Sequence, residues 1–188
     1  MSSSSRAALA LVLASCATAP PAEEAPRGPP TVAELYPMVL GAAWAHWLTK
    51  ADGSAPILVT SRIGALDDRE VVFKSGDQEV RYERRPEGLF KPSSKYFLLR
   101  DPIAAGARWP MPEGEVRVTA IDAEVAVKAG RFRHCVIVEE LGEGQRVEWV
   151  YARGVGPVRM RSFAIVEGTE QPLVEAELSG YRIEPASD

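Results

Sequence analysis

Little in this sequence is suited to chemistry at a metal or a nucleophile. Two histidines, His46 and His134, and two cysteines, Cys16 and Cys135, are the only residues of those types in 188. No Cys/His spacing of a zinc site surrounds them. No apolar run reaches the roughly 20 residues that span a bilayer as a helix, so membrane attachment would have to come from another device. There is no positive excess either. A formal net charge of -4 argues against nucleic acid, and mildly against anionic lipid, as the main partner, because both demand dense basic surface. No phosphate-cradling glycine loop, dinucleotide fingerprint or serine nucleophile elbow occurs, so no cofactor is implied.

What is present begins with an address. Residues 1–15 read as an export signal, with Arg6 as a minimal positive region and Ala7 to Ala14 as a short apolar stretch. The stretch ends Leu13-Ala14-Ser15-Cys16. This resembles the bacterial lipobox, in which two small residues let the chain lie extended and the cysteine thiol accepts diacylglycerol. The resemblance implies that Cys16 is the lipidation site, carrying palmitate-class acyl chains. Each buried methylene of such chains contributes about 0.8 kcal/mol, and several chains anchor far more firmly than one. The competing reading is an ordinary secretory signal cut near Ala17 to Ala19. Lipidation would also remove Cys16 from any disulfide with Cys135. Ala17, in place of aspartate, points to outer-membrane sorting under the enterobacterial convention.

Residues 16–31 continue as a Pro- and Ala-rich tether with almost no large apolar group. Such a stretch cannot bury enough surface to offset ordering. Its prolines favour an extended spacer, reaching about 40–45 Å at about 3.1 Å per residue.

Residues 32–188 carry the folded domain. A short helix is expected within 32–40, with Thr31 as cap and Glu34 at the third helical position. Beyond Trp44 the apolar residues recur with period two. Val71 and Phe73, Val80 and Tyr82, Val116 and Val118, Val147, Trp149 and Tyr151, and Val174, Ala176 and Leu178 all alternate with polar neighbours. Turn signals separate these runs, among them Asp67-Asp68, Gly76-Asp77, Pro86-Glu87-Gly88, Glu113-Gly114, Glu143-Gly144 and Glu167-Gly168. Ten or so short strands with tight connections predict a mainly β domain. Its architecture is a single antiparallel curved sheet, half-barrel or barrel-like, with at most one or two short helices. Apolar parity changes near Gly180, which predicts a bulge or bend there.

One spacing occurs twice. Pro37-x-x-x-Gly41-x-x-Trp44 returns as Pro102-x-x-x-Gly106-x-x-Trp109. Each copy reads as a turn, a glycine where the backbone bends, and a tryptophan entering the core. Duplication of a half-domain and convergent turn chemistry both account for it. Three segments together resemble a class of uncharacterised bacterial lipoproteins and exported β-rich proteins: Tyr36-Pro37…Gly41…Trp44, Ala129-Gly130-Arg131-Phe132-x-x-Cys135 and Tyr151-Ala152-x-Gly154-Val155-Gly156-x-Val158. Lys128 and Arg153 stand where prolines are common in that class. The resemblance implies an antiparallel sheet or half-barrel and brings no enzymatic activity. Within it, Gly154 and Gly156 suit positive φ, and Phe132 and Tyr151 look like core aromatics.

The remaining candidates read mostly as structure. Cys135 sits in an apolar run and is expected to be a buried, inert thiol, with His134 on the opposite strand face. His46, between Trp44 and Trp47, reads as a polar position on a half-buried strand. Asp67, Asp68 and Asp77 fall in turns, where aspartate bonds nearby backbone. Glu139, Glu140 and Glu143 read as a solvated strand end rather than an acid–base pair. Arg81, Arg84 and Arg85, and again Arg153, Arg159 and Arg161, are expected on outward faces or edges. An anionic lipid or polysaccharide surface is the functional alternative for them.

The expectation is therefore a non-enzymatic, membrane-anchored lipoprotein of the cell envelope, on the periplasmic side of the outer membrane or at the cell surface. It would act as a structural or interaction module toward an envelope protein. The alternative is a carrier of a hydrophobic ligand such as lipid or lipoprotein acyl chains. A continuous apolar cavity of roughly 300 Å³ or more on the concave face of the sheet would favour the carrier, and its filling by Trp44, Trp109, Phe132 and Trp149 would exclude it.

Overall fold

A computed structural model describes residues 28–183; the lipobox, Cys16 and residues 17–27 of the tether lie outside the described residues. The chain is picked up at Gly28 and forms one helical turn, α1 (Val32–Leu35). The expected capping box is present. Thr31 Oγ1 accepts from the Glu34 amide at 3.3 Å, and the Glu34 carboxylate accepts from the Thr31 amide at 2.8 Å. The helix stops at Tyr36, short of the expected reach to Leu40, because Pro37 disfavours helical backbone at the residue before it.

Twelve strands follow: β1 (Ala43–Lys50), β2 (Ile57–Leu66), β3 (Glu70–Ser75), β4 (Gln78–Arg85), β5 (Gly88–Lys91), β6 (Tyr96–Arg100), β7 (Arg108–Met111), β8 (Gly114–Val127), β9 (Gly130–Gly142), β10 (Gln145–Ala152), β11 (Gly156–Val166) and β12 (Thr169–Arg182). They form a single antiparallel sheet in the order β6-β5-β4-β3-β2-β1-β12-β11-β10-β9-β8-β7, which curls into a nearly closed barrel. Each predicted turn falls at a hairpin connection. β5 and β7, with four residues each, are too short to show alternation, which explains why the periodicity counts about ten strands.

The first and last strands pair along β1, from Ala43 opposite Arg182 to Lys50 opposite Val174. The barrel is thus sealed where the ends of the domain meet, and among the described residues its only unladdered seam lies between β6 and β7. Across that seam Trp109 Nε1 donates to the Phe97 carbonyl at 2.6 Å. The parity change near Gly180 is a bulge one residue earlier. Ala45 pairs with Gly180 and His46 with Leu178, leaving Ser179 unmatched.

The repeated Pro-x-x-x-Gly-x-x-Trp segments open β1 and β7, so each heads a run of six strands. Their backbones match bond for bond. Gly41 donates to Ile63 at 3.1 Å and Gly106 to Val118 at 2.8 Å; Ala42 donates to Val39 at 2.9 Å and Ala107 to Ala104 at 3.0 Å. Gly41 has φ 83 and Gly106 φ 81, a region that penalises any Cβ. Both indoles end on a backbone carbonyl at 2.6 Å, Trp44 on Val155 and Trp109 on Phe97. The two segments therefore do the same local work.

The core runs through the barrel and out under the β8–β9 hairpin. Trp44, Tyr151, Leu35, Ile63, Leu99 and Val116 are all buried to within 1%. Tyr36 stacks edge-on against Trp44 (5.7 Å) and Phe73 (5.0 Å) and lies 6.2 Å from Tyr151, so the residue after α1 plugs the barrel. Three register shifts bend the β8–β9 hairpin. Its tip reaches β12, where the Ala129 amide donates to Leu178 at 2.8 Å and Phe132 meets Tyr181 at 6.3 Å.

Candidate functional site

Alternation places two very different rungs on β8 to β12. On one face, Trp149 opposes Met160, Met160 opposes Ala176, and Ala176 opposes Leu48 of β1. On the other, Arg117 opposes Glu139, Glu139 opposes Glu148, Glu148 opposes Arg161, and Arg161 opposes Glu175. Two glutamates directly opposite repel each other. Arg146 relieves them: its Nη1 lies 3.1 Å from Glu139 and 3.7 Å from Glu148, and its Nε lies 2.6 Å from Glu170. Arg117 closes on Glu139 from the other side at 2.7 Å. The network overturns the solvated-strand-end expectation for Glu139, whose side chain is only 12% exposed.

Glu140 departs from that expectation differently, because it faces inward with the apolar rung. It accepts from Trp149 Nε1 at 3.0 Å and from the Tyr96 hydroxyl. Burial holds its carboxyl above the usual range, against the opposing pull of those hydrogen bonds and of Lys91. The same enclosure pushes the Tyr82 phenol up to about 12 and raises Tyr36, Tyr96 and Tyr151. These phenols are therefore neutral at physiological pH.

The arginine clusters divide. Arg81 is exposed and pairs with Glu70 at 3.0 Å, and Arg85 pairs with Glu83 at 2.6 Å and lies 3.4 Å from the Phe90 ring centroid. Those two match the outward placement expected of them. Arg153 and Arg159 are more covered than that placement implies, their side chains 13% and 16% exposed, although Arg159 keeps the sheet face of Glu148 and Arg161. Arg153 is drawn in because its Nη2 donates to Gly28 at 2.8 Å, holding the start of the described chain against the β10–β11 turn. Gly154 adds a backbone bond to Glu34 at 2.8 Å.

The other candidates sit as read. Cys135 is fully buried. His134, at φ 54, meets Asp122 at 2.6 Å. Asp67 accepts from the amides of Arg69 and Glu70, both at 2.7 Å, and these bonds hold its carboxyl below the usual range. His46 donates through Nε2 to the Pro157 carbonyl at 3.0 Å. That bond sets the tautomer and leaves Nδ1 as an acceptor. Burial lowers the imidazole below its ordinary range, so it is neutral at pH 7. Among the described residues no group of three His, Cys, Asp or Glu side chains is placed to hold a metal ion.

The pocket that reaches the inner rung is small. It holds about 190 Å³ and is bounded by Tyr36 and Trp149, with His46, Leu48, Met160 and Arg159 among its walls. Larger clefts lie elsewhere: about 490 Å³ beside α1 and Arg84, and about 310 Å³ between Lys50, Phe163 and Leu173. Periodicity alone gives no warning of this pocket, since it depends on Tyr36 arriving from outside the sheet.

No protein-family model and no curated protein matches the chain. Two solved structures align with it. An inferred lipoprotein from Parabacteroides distasonis shares 11% identity at a TM-score of 0.47, covering 79% of this chain and 98% of that one. An inferred exported protein with a YmcC-like fold from Bacteroides fragilis shares 13% at a TM-score of 0.45, with the same coverage. Likeness at this level transfers no residue roles.

Proposed function

We propose that this chain is a lipid-anchored lipoprotein of the bacterial cell envelope whose barrel is a non-enzymatic structural or interaction module. The reading rests on Leu13-Ala14-Ser15-Cys16 and the Pro-rich stretch after it. The fold supports it. The described chain starts at Gly28 beside α1 and the β10–β11 turn, at one end of the barrel. Exposed Ile57, Leu58, Val166 and Leu173 lie at the opposite end. A lipid on Cys16 would therefore hold the α1 end toward the bilayer and present the apolar end outward.

The observation that carries the module over the carrier is the packed interior. Tyr36, Trp44, Phe73, Tyr151 and Trp149 occupy the barrel and leave about 190 Å³. That lies below the 300–1,000 Å³ of common ligand sites, let alone the room several acyl chains need. Fractionation of cells expressing Cys16→Ser tests the anchor. The variant is expected in the soluble fraction while the native chain sediments with membranes; retention of both in the membrane overturns the reading. Organic extraction of the purified protein tests the module. Stoichiometric lipid beyond that attached to Cys16 would restore the carrier.

A further inference from the structure

At the end of the barrel remote from α1, a register shift leaves a leucine in the open. On β12, Val174 pairs with Ser162 and Pro172 with Phe163, so Leu173 between them has no opposite residue. A bulge of this kind re-aims a side chain, and Leu173 is 42% exposed. Together with Phe163, Pro172 and Thr49 it lines a cleft of about 310 Å³. Thr49 pairs with Glu175, and Glu175 with Arg161, so the cleft shares the sheet face of the charged rung and not that of Tyr36 and Trp149. Ile57, Leu58, Ile165 and Val166 add exposed apolar surface at the same end. Scattered exposed apolar residues are ordinary, whereas a set of them beside a cleft marks an interaction surface.

The turns that frame the cleft are acidic. The Ala51 amide donates to the Leu173 carbonyl at 2.9 Å, and the Ile165 amide to Gly144 at 2.8 Å. These bonds tie the β1–β2 and β9–β10 turns to the strands that form the cleft, and the β11–β12 turn joins those strands. The three turns carry Asp52, Glu143 and Glu167, all exposed and none in an ion pair among the described residues. The nearby cations are already engaged. Arg161 meets Glu175 and Arg146 meets Glu170, both at 2.6 Å. Hydrogen bonds from Ser54 and, in smaller part, the charge of Lys50 hold the Asp52 carboxyl below the usual range. Such a rim repels anionic lipid headgroups and nucleic acid. A polypeptide combines large apolar side chains with fixed cations and so matches both features. We propose that this cleft docks a basic polypeptide segment, one large apolar side chain entering against Phe163, Pro172 and Leu173 while flanking Lys or Arg side chains face Asp52, Glu143 and Glu167. The proposal names the partner of the interaction module and rests on that reading. Interior lipid in the organic extract, or membrane retention of Cys16→Ser, would sink that reading without moving the resonances followed below.

The test uses the purified full chain carrying Cys16→Ser, so that no attached acyl group competes. Three blocked pentapeptides are titrated, Lys-Lys-Phe-Lys-Lys, Lys-Lys-Ser-Lys-Lys and Glu-Glu-Phe-Glu-Glu, while the methyl resonances of Leu173 and Val166 are followed against that of the buried Ile103. The first is expected to shift Leu173 and Val166 but not Ile103, with millimolar or tighter affinity. The serine peptide should bind about tenfold or more weakly, the loss expected when one large apolar side chain stays in water. The glutamate peptide should not bind. Raising the salt from about 50 mM to about 0.5 M should weaken the first peptide severalfold. Leu173→Ser should erase the preference for phenylalanine over serine, and Asp52→Asn with Glu143→Gln and Glu167→Gln the preference for lysine over glutamate. If either variant misfolds, the three peptides on the Cys16→Ser chain decide. An unmoved Leu173 resonance, or equal binding of the lysine and glutamate peptides, overturns the proposal. Dimerisation of the chain alone, abolished by Leu173→Ser, would give the cleft to a second copy and overturn it as well.

Discussion

Replacing Trp109 with phenylalanine attacks the one place where the barrel lacks a backbone ladder. Trp109 is 3% exposed and its indole bridges β7 to the Phe97 carbonyl of β6. Phenylalanine keeps an aromatic ring but removes the donor and leaves that carbonyl enclosed, which costs about 1–3 kcal/mol. The smaller ring also returns some tens of Å² of apolar contact, about 1 kcal/mol at roughly 25 cal/mol per Å². The sum of about 2–4 kcal/mol corresponds to a fall in Tm of roughly 4–16 °C for a domain of this size. Urea unfolding would measure the loss. Amide exchange would locate it, with Phe97, Leu98 and the residues of β7 losing protection before β1 or β12. A loss below about 0.5 kcal/mol, or exchange that accelerates uniformly through the sheet, would refute the claim that this indole closes the seam.

Three further outcomes follow from the same geometry. Arg146→Met leaves Glu139 and Glu148 opposed on a poorly exposed rung, and should destabilise by about 2–4 kcal/mol in urea; Arg81→Met, at an exposed pair, should be near neutral. Glu140→Gln should stabilise the protein at neutral pH relative to the native chain. The sign follows from burial raising the folded carboxyl above its unfolded value: the native state holds its advantage below the unfolded value and loses it as pH climbs through the folded one. The gap between variant and native Tm should therefore close as pH drops through the carboxylate range. Gly156→Ala should cost about 1–3 kcal/mol, because φ is 106 and a Cβ would meet Trp44 Nε1 at 3.0 Å; an unchanged unfolding midpoint would contradict it.

Much of the architecture could be read from residues. Alternation along Val147, Trp149 and Tyr151 gives the inward face of β10, and Thr31 with Glu34 gives the helix start. The two Pro-x-x-x-Gly-x-x-Trp segments mark the first strand of each half. What escaped had physical reasons. Four-residue strands carry no measurable period. Glu139 and Glu140 read as a polar strand end because pattern cannot show that Arg117 and Arg146 cover one and Tyr96 and Trp149 the other. Strand parity puts Arg153 and Arg159 outward because it says nothing of what folds over the face. The pocket depends on Tyr36, which reaches the sheet from the turn after α1 and so belongs to no strand pattern.

The measurement closest to the central claim is the intact mass and N-terminal chemistry of the native protein purified from membranes. The account predicts a chain beginning at Cys16, its thiol bearing diacylglycerol. An unmodified chain beginning near Ala17 to Ala19 and recovered without detergent would contradict it.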